Sequence, residues 1–376
     1  MRFVATADWQ LGMPAAFLPD EARARFAQDR IEVLRRVGDV AREHDADFVV
    51  VAGDVFDANQ LHRSVVARAF DALREWSVPV YLLPGNHDPL DASSIYRSRE
   101  FVEARPDHVH VLETPGLQPV AEGVDVVAAP WFTKFPLNDL VADALAEVRP
   151  DPDRLRILVG HGGLLGIDRA DPALIDRDGL EQALADRRVD VAILGDRHSC
   201  TEVAPRLWYP GTPEVTRHRE TDPGHVLVVE IDDASHEVAV TPVRVGRWSF
   251  LTLEAPLDGP QDLELLETAL EEVEDKHLTA VRLVLTGTLT VGQKARLDSL
   301  VEQSADRFAA VRVWERHSDL AVRPDDEEFR DLGLTGFAAD AVDDLVAQLD
   351  TEHAQEARDA LGLLYRLVGG PTRGRA

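Results

Sequence analysis

The chain has 376 residues, with 40 basic side chains against 68 acidic ones and a formal net charge of −28 at pH 7. A field of that sign repels polyanions at long range, so composition argues against general affinity for nucleic acid while leaving room for a local basic groove. The single cysteine, Cys200, excludes an internal disulfide and fits a reducing cytoplasm, and no apolar run approaches the roughly 20 residues that span a bilayer.

Met1 leads directly into an apolar strand, so no secretory signal is expected. Short apolar runs then alternate with helical periodicities. Strands are expected over 2–7, 48–52, 80–83, 108–112, 124–129, 155–160 and 189–194, with helices over 22–43, 64–76, 137–148 and 179–186. Phe26, Leu34, Val37 and Ala41 mark the inward face of the first helix; Val66, Ala69, Phe70 and Leu73 mark that of the second. Strands over 207–209, 225–231 and 237–243 follow, the last two joined by Asp232-Asp233-Ala234-Ser235. Such αβ alternation, followed by an antiparallel stretch, implies two packed sheets with helices outside.

Composition shifts near Arg244. A strand, an acidic helix over 263–276, a strand over 280–286, a helix over 291–304 and a strand over 309–315 predict a small α/β module. Asp325-Asp326-Glu327-Glu328 opens a polar break before amphipathic helices over 337–349 and 352–368 and a short frayed tail. The expected domains are 1–243, 244–324 and 325–376.

Five polar clusters follow apolar runs in the first 200 residues: Asp8-Trp9-Gln10, Gly53-Asp54, Gly85-Asn86-His87-Asp88, Gly160-His161-Gly162 and Gly195-Asp196-Arg197-His198. Taken singly, each reads as a turn, a cap or a surface ion pair. Together they bring hard oxygen and nitrogen ligands to one sheet edge, which suits a pair of metal ions. Two-metal phosphoester hydrolysis needs one anionic ligand shared by both ions and an imidazole that protonates the leaving oxygen. Asp54 is the natural bridge, Asp8 serves one ion, and Asn86 and His161 the other. His87 is left to donate the proton, with Asp88 expected to hold its tautomer. Trp9 reads as a wall of the site before it reads as a platform for a base. Cys200, two residues beyond His198, reads as packing before it reads as a ligand.

These segments resemble the calcineurin-type metallophosphoesterase superfamily, whose pattern is D-x-H, GD, GNHD, GH and GHxH. Within it the chain resembles the bacterial SbcD-type DNA-repair exonuclease subunit, on Gly53-Asp54-Val55-Phe56-Asp57, the block from Pro84 to Pro89, and Tyr209-Pro210-Gly211-Thr212-Pro213-Glu214. The resemblance implies a four-layer α/β/β/α sandwich with a small α/β capping domain and C-terminal helices. It implies two divalent ions, with manganese favoured over magnesium, and in-line attack by an activated water on phosphorus. His87 matches the family's general acid. The implied partners are DNA, an SbcC-type coiled-coil ATPase docking on the C-terminal helices, and a second copy in a homodimer. The implied location is cytoplasmic, with no membrane role.

Two positions depart from the pattern. Gln10 replaces an imidazole of D-x-H, and Asp196 replaces the first imidazole of GHxH. The ligand sets become Asp8, Gln10, Asp54 and His198 around one ion, and Asp54, Asn86, His161 and Asp196 around the other. Losing two nitrogens and gaining a charge moves preference from zinc toward manganese or magnesium. Arg197 could neutralise Asp196 or clamp a substrate phosphate. Two other readings stand beside the nuclease: a small-substrate phosphatase or phosphodiesterase of the same fold, and a catalytically weakened scaffold that binds an ATPase partner.

Overall fold

A computed structural model describes residues 1–165, 174–323 and 335–348, with isolated positions from 351 to 364. Most of the expected helix over 352–368, the polar break at Asp325–Glu328 and the tail lie outside the described residues. The chain divides into two compact units, Met1–Trp248 and Ser249–Ala376.

The first unit holds β1 (Arg2–Thr6), α1 (Asp20–Glu43), β2 (Phe48–Val51), α2 (Arg63–Leu73), β3 (Val80–Leu82), α3 (Arg99–Ala104) and β4 (Val109–Val111). It continues through β5 (Gly116–Ala121), β6 (Val124–Ala128), α4 (Leu140–Leu145), β7 (Leu155–His161), α5 (Arg177–Ala185), β8 (Val191–Gly195), β9 (Thr201–Ala204), β10 (Leu207–Tyr209), β11 (His225–Ile231) and β12 (Val238–Arg244). One six-stranded sheet runs β12-β11-β1-β2-β3-β4 and the other β5-β6-β7-β8-β10-β9. Strands β1 to β4 are mutually parallel, as are β6, β7, β8 and β10, so their carboxyl ends face the same way within each sheet.

Alternating side chains build the layers. Phe48 and Val50 face inward and share a core with Phe3, Ile157, Val159, Val191 and Ile193 of both sheets. Val49 and Val51 face the other way onto α1 and α2, through Leu34, Val37, Val66 and Phe70. Val127, Leu158, Ala192 and Leu194 pack on Val141, Leu145, Leu180 and Leu184 of α4 and α5. This is the four-layer α/β/β/α sandwich. The expected inward residues of α1 and α2 are all buried. Strands β5 and β9 were not expected: each is a short antiparallel edge strand without a continuous apolar run, and β5 contains Pro119, tolerated only at edges.

The second unit has β13 (Ser249–Leu257), α6 (Pro260–Glu272), β14 (Thr279–Thr290), α7 (Val291–Ala305), β15 (Ala310–Val313) and β16 (Asp319–Arg323), with a further helix at Phe337–Gln348. Its strands form a parallel sheet, β13-β14-β15, with β16 paired to the distal half of β14. The capping box of Thr290 and Gln293 starts α7 directly from the end of β14. No helix among the described residues is long and apolar enough to cross a membrane.

Candidate metal centre

The clusters sit at the carboxyl ends of parallel strands. Beyond β1 the chain turns through Asp8 and Gln10 at φ 51° and 42°, and beyond β2 through Asp54 at φ 51°. This left-handed region is tolerated better by aspartate than by glutamine. Ladder pairing nevertheless continues past both strands. Asp8 N donates to Gly53 O (3.0 Å), Gln10 N to Asp54 O (2.9 Å) and Leu11 N to Val55 O (3.0 Å). The two carboxylates are therefore held side by side. Close packing explains the glycines: a Cβ at Gly53 would lie 2.1 Å from His161 Nδ1, and one at Gly195 would lie 1.8 Å from Ala52 O.

Asp8, Asp54 and His161 offer ligand atoms that all lie within 4.8 Å of one another, and all three residues are buried. His161 Nε2 is 3.4 Å from Asp54 Oδ1 and 2.8 Å from Asn86 Oδ1. His198 Nε2 is 3.8 Å from Asp8 Oδ1 and 3.3 Å from Gln10 Nε2, so Gln10 turns its amide nitrogen toward the imidazole. The Asp196 backbone N–H donates to both Asp8 oxygens (3.1 and 3.0 Å), while its side chain is exposed on the wall of a cavity of about 380 Å³. Asp196 thus stands outside the tight group. Gln10, Asp54, His87, Arg197 and His198 line the same cavity, and Arg197 makes no ion pair with Asp196.

Charge is unevenly met here. Burial, against the pull of His198 and His161, pushes the Asp8 carboxyl up to about 7. Burial also opposes charge on His161, yet Asp54, Asp8 and Asp196 together hold its imidazole up to about 9. A charged His161 donates through Nδ1 to Ala52 O (2.9 Å) and through Nε2 to Asn86 Oδ1. If that imidazole were neutral, Asn86 would turn over, and its amide nitrogen would reach His161 Nε2 at 2.8 Å and both Asp54 oxygens at 3.2 Å. In the oxygen-inward orientation the amide oxygen accepts from a charged His161 but lies 3.2 Å from both Asp54 oxygens, so positive charge is needed between them. A proton on His161 therefore occupies the place that a cation among Asp8, Asp54 and Asn86 would fill. Buried, oxygen-rich and short of positive charge, this donor set fits hard divalent ions.

His87 donates through Nδ1 to the Asp57 carbonyl (2.8 Å), and its own backbone N–H is held by Asp54 Oδ1 (2.9 Å). That leaves Nε2 as the free nitrogen, 4.0 Å from Asp54 Oδ2. Asp88 does not hold His87. Its buried carboxylate accepts from Gly85 N (2.7 Å), Phe56 N (3.0 Å) and Tyr96 OH (2.6 Å), which ties the Gly85–Asp88 turn to the loop after Asp54. With both oxygens so engaged, the tautomer is set by the backbone of Asp57.

Sequence reasoning missed the shell behind the candidate ligands. His198 Nδ1 meets Thr216 Oγ1 (2.6 Å) and Glu220 Oε1 (2.9 Å), an arrangement that aims Nε2 at Asp8. Thr212 donates to Asp8 O (2.9 Å), Tyr209 to Gly162 O (2.9 Å) and Trp131 Nε1 to His161 O (2.8 Å). Buried Arg30 donates to the carbonyls of Trp9 and Glu214, joining the first ligand loop to the segment after Tyr209. The run from Tyr209 to Glu214 was the one available signal for part of this shell. Trp9 is buried edge-on against Trp76 (6.1 Å) and presents no face to the cavity. The Cys200 thiol is half-buried and pushed up to about 11 by burial and Asp222, which suits packing.

A Bacillus subtilis (strain 168) protein named uncharacterized metallophosphoesterase YhaO is 26% identical over 361 residues, 90% of this chain and 84% of that one. The SbcD component of the SbcCD nuclease from the same organism is 26% identical over 161 residues, 39% of this chain and 38% of its own. Among solved structures, a dimetal phosphatase from Danio rerio aligns at 16% identity with a TM-score of 0.34, covering 65% of this chain and 96% of its own. The calcineurin-like phosphoesterase model matches residues 1–220. With that match over more than half its length, the chain belongs to the calcineurin-like phosphoesterase family, metal-dependent hydrolases that use divalent ions.

Proposed function

We propose that this protein is a DNA-repair exonuclease subunit of the SbcD type, hydrolysing DNA phosphodiester bonds with two divalent ions that share Asp54. The observation that carries the reading is the buried convergence of Asp8, Asp54 and His161, with Asp54 also lining a cavity of about 380 Å³ that His87 shares. Asp8, Gln10 and His198 would hold one ion with Asp54, and Asn86 and His161 the other with Asp54. Gln10 would join by turning its amide oxygen inward, and exposed Asp196 would join the second set by turning in from the cavity wall. Manganese is the preferred ion, because oxygen has replaced imidazole at two positions.

Bound divalent ions polarise the phosphoryl group and make water a better nucleophile. The chain's own residues do the rest. His87, with Nδ1–H fixed on Asp57 O, carries its transferable proton on Nε2 and delivers it to the leaving oxygen. Arg197, in the cavity wall and without an ion pair among the described residues, offers its planar guanidinium to the non-bridging oxygens of the scissile phosphate. Ala52, Glu220 and Thr216 hold His161 and His198 in one tautomer and one orientation.

The module over 244–324 then serves as a capping domain, the segment over 325–376 docks on a coiled-coil ATPase of the SbcC type, and the protein works as a cytoplasmic homodimer. The similarity to the SbcD component of the SbcCD nuclease, over 39% of this chain, supports the ATPase partner alone. Incubation of linear duplex DNA with manganese tests the reading, using wild type beside His87→Ala. Cleavage that falls by about 100-fold or more in the variant is expected. Activity on small phosphodiesters alone would move the assignment to a small-substrate enzyme. Tight ATPase binding without stoichiometric metal would leave only a scaffold.

A further inference from the structure

Most arginines of the first unit are engaged: Arg36 by Glu214, Arg154 and Arg156 by Asp125, Arg188 by the Leu145 and Val148 carbonyls. In a chain with 68 acidic residues, partners are abundant. Arg217 and Arg219 are exceptions. Both line the metal-site cavity beside Arg197, both are exposed, and neither makes a side-chain hydrogen bond or ion pair with a described residue.

Their positions are nonetheless fixed. Glu220 closes the turn that carries them: its carboxylate accepts from Thr216 N (2.9 Å) and meets His198 Nδ1 (2.9 Å), and its backbone N–H donates to Arg217 O (3.3 Å). Thr221 N donates to Ser199 Oγ (3.0 Å), fastening the far end. His218, between the arginines, packs edge-on against Phe17 (5.5 Å). Alternation along this segment therefore sets the two guanidinium groups apart from the inward imidazole. The same Glu220 that orients His198 closes the turn that carries the two guanidinium groups.

We infer that Arg217 and Arg219 form a second phosphate subsite, which takes the phosphate adjacent to the scissile one. The substrate is then a strand carrying at least two phosphates, and a lone phosphomonoester leaves the subsite empty. The inference rests on the phosphodiesterase reading and names the substrate class for that site. It also reconciles the net charge of −28 with a polyanionic substrate. The acidic surface repels the strand everywhere except at the mouth where its backbone must enter.

Binding measured in EDTA separates this inference from catalysis. Fluorescence anisotropy compares a labelled single-stranded deoxyoligonucleotide of about ten nucleotides with a labelled mononucleotide. Wild type should bind the oligonucleotide at least about tenfold more tightly, and Arg217→Ala/Arg219→Ala should lose at least about tenfold, with a log–log salt slope shallower by roughly 1.4. Arg217→Lys/Arg219→Lys should recover most of the binding, and exposed Arg99→Ala should bind as wild type does. Equal affinity of wild type and the double alanine variant would overturn the subsite, as would equal affinity for the two ligands. Loss of the nuclease reading looks different. Absent DNA hydrolysis with this binding pattern intact would remove the reaction and keep the subsite.

Discussion

Gly195→Ala is the sharpest test of how the site is assembled. At the end of β8, one sheet touches the other backbone to backbone. A Cβ at 195 would stand 1.8 Å from Ala52 O and 2.5 Å from His161 Nδ1, where real Cβ contacts do not fall below 3.0 Å. Accommodating the methyl must move the tips of β2 and β8 apart by more than an ångström and break the bond from His161 to Ala52. Overpacking of this kind costs about 1–3 kcal/mol and a lost buried hydrogen bond about 1 kcal/mol, together about 2–4 kcal/mol. For a unit of this size, that lowers Tm by roughly 5–15 °C. An imidazole freed from its orienting carbonyl should also cost roughly 10–100-fold in manganese affinity. Differential scanning fluorimetry and calorimetric manganese titration read both effects, with far-UV circular dichroism confirming that the variant folds. A variant with wild-type Tm and wild-type affinity would refute the claim that the sheets meet at Ala52 and Gly195 to aim His161.

Three further outcomes follow from the same geometry. Without ions, Asp8 keeps its proton from its ordinary value of 3.8 up to about 7 in the fold, so ionising it costs stability as pH rises through that range. His161, raised to about 9, stabilises the ion-free fold fully below 6.5 and loses that contribution as pH climbs toward 9. The gain in Tm on adding manganese should therefore grow from pH 6 to pH 9, with about one proton released per site near pH 8, and a pH-independent gain would contradict this. Asp88→Asn should cost about 1–3 kcal/mol through the orphaned N–H groups of Gly85 or Phe56. It should leave the pH dependence of kcat unmoved, whereas a shifted profile would mean that Asp88 does govern His87. Glu220→Gln should weaken manganese binding by roughly 10–100-fold with little change in Tm, and unchanged affinity would show that His198 needs no such support.

Much of this molecule was legible because its candidate ligands follow continuous β-branched runs. Phe48-Val49-Val50-Val51 is buried on both faces, so strand, layer and the position of Asp54 all follow from one short segment. Strands β5 and β9 were illegible for the converse reason, since edge strands need no apolar run. Asp88 misled for a physical reason too. Adjacency in sequence suggested contact with His87, but a tight turn sends neighbouring side chains apart, and Asp88 turned inward to unpaired N–H groups. Thr216, Glu220 and Arg30 serve the site through contacts of long sequence separation or through loop closure, which no periodicity reports.

Anomalous diffraction from a manganese-soaked crystal tests the central claim most directly. Two peaks roughly 4 Å apart, both within bonding distance of Asp54, with Gln10 turned oxygen-inward and Asp196 reaching the ion beside Asn86 and His161, are the predicted result. A single peak that Asp54 does not share, or no peak among Asp8, Asp54 and His161, would contradict it.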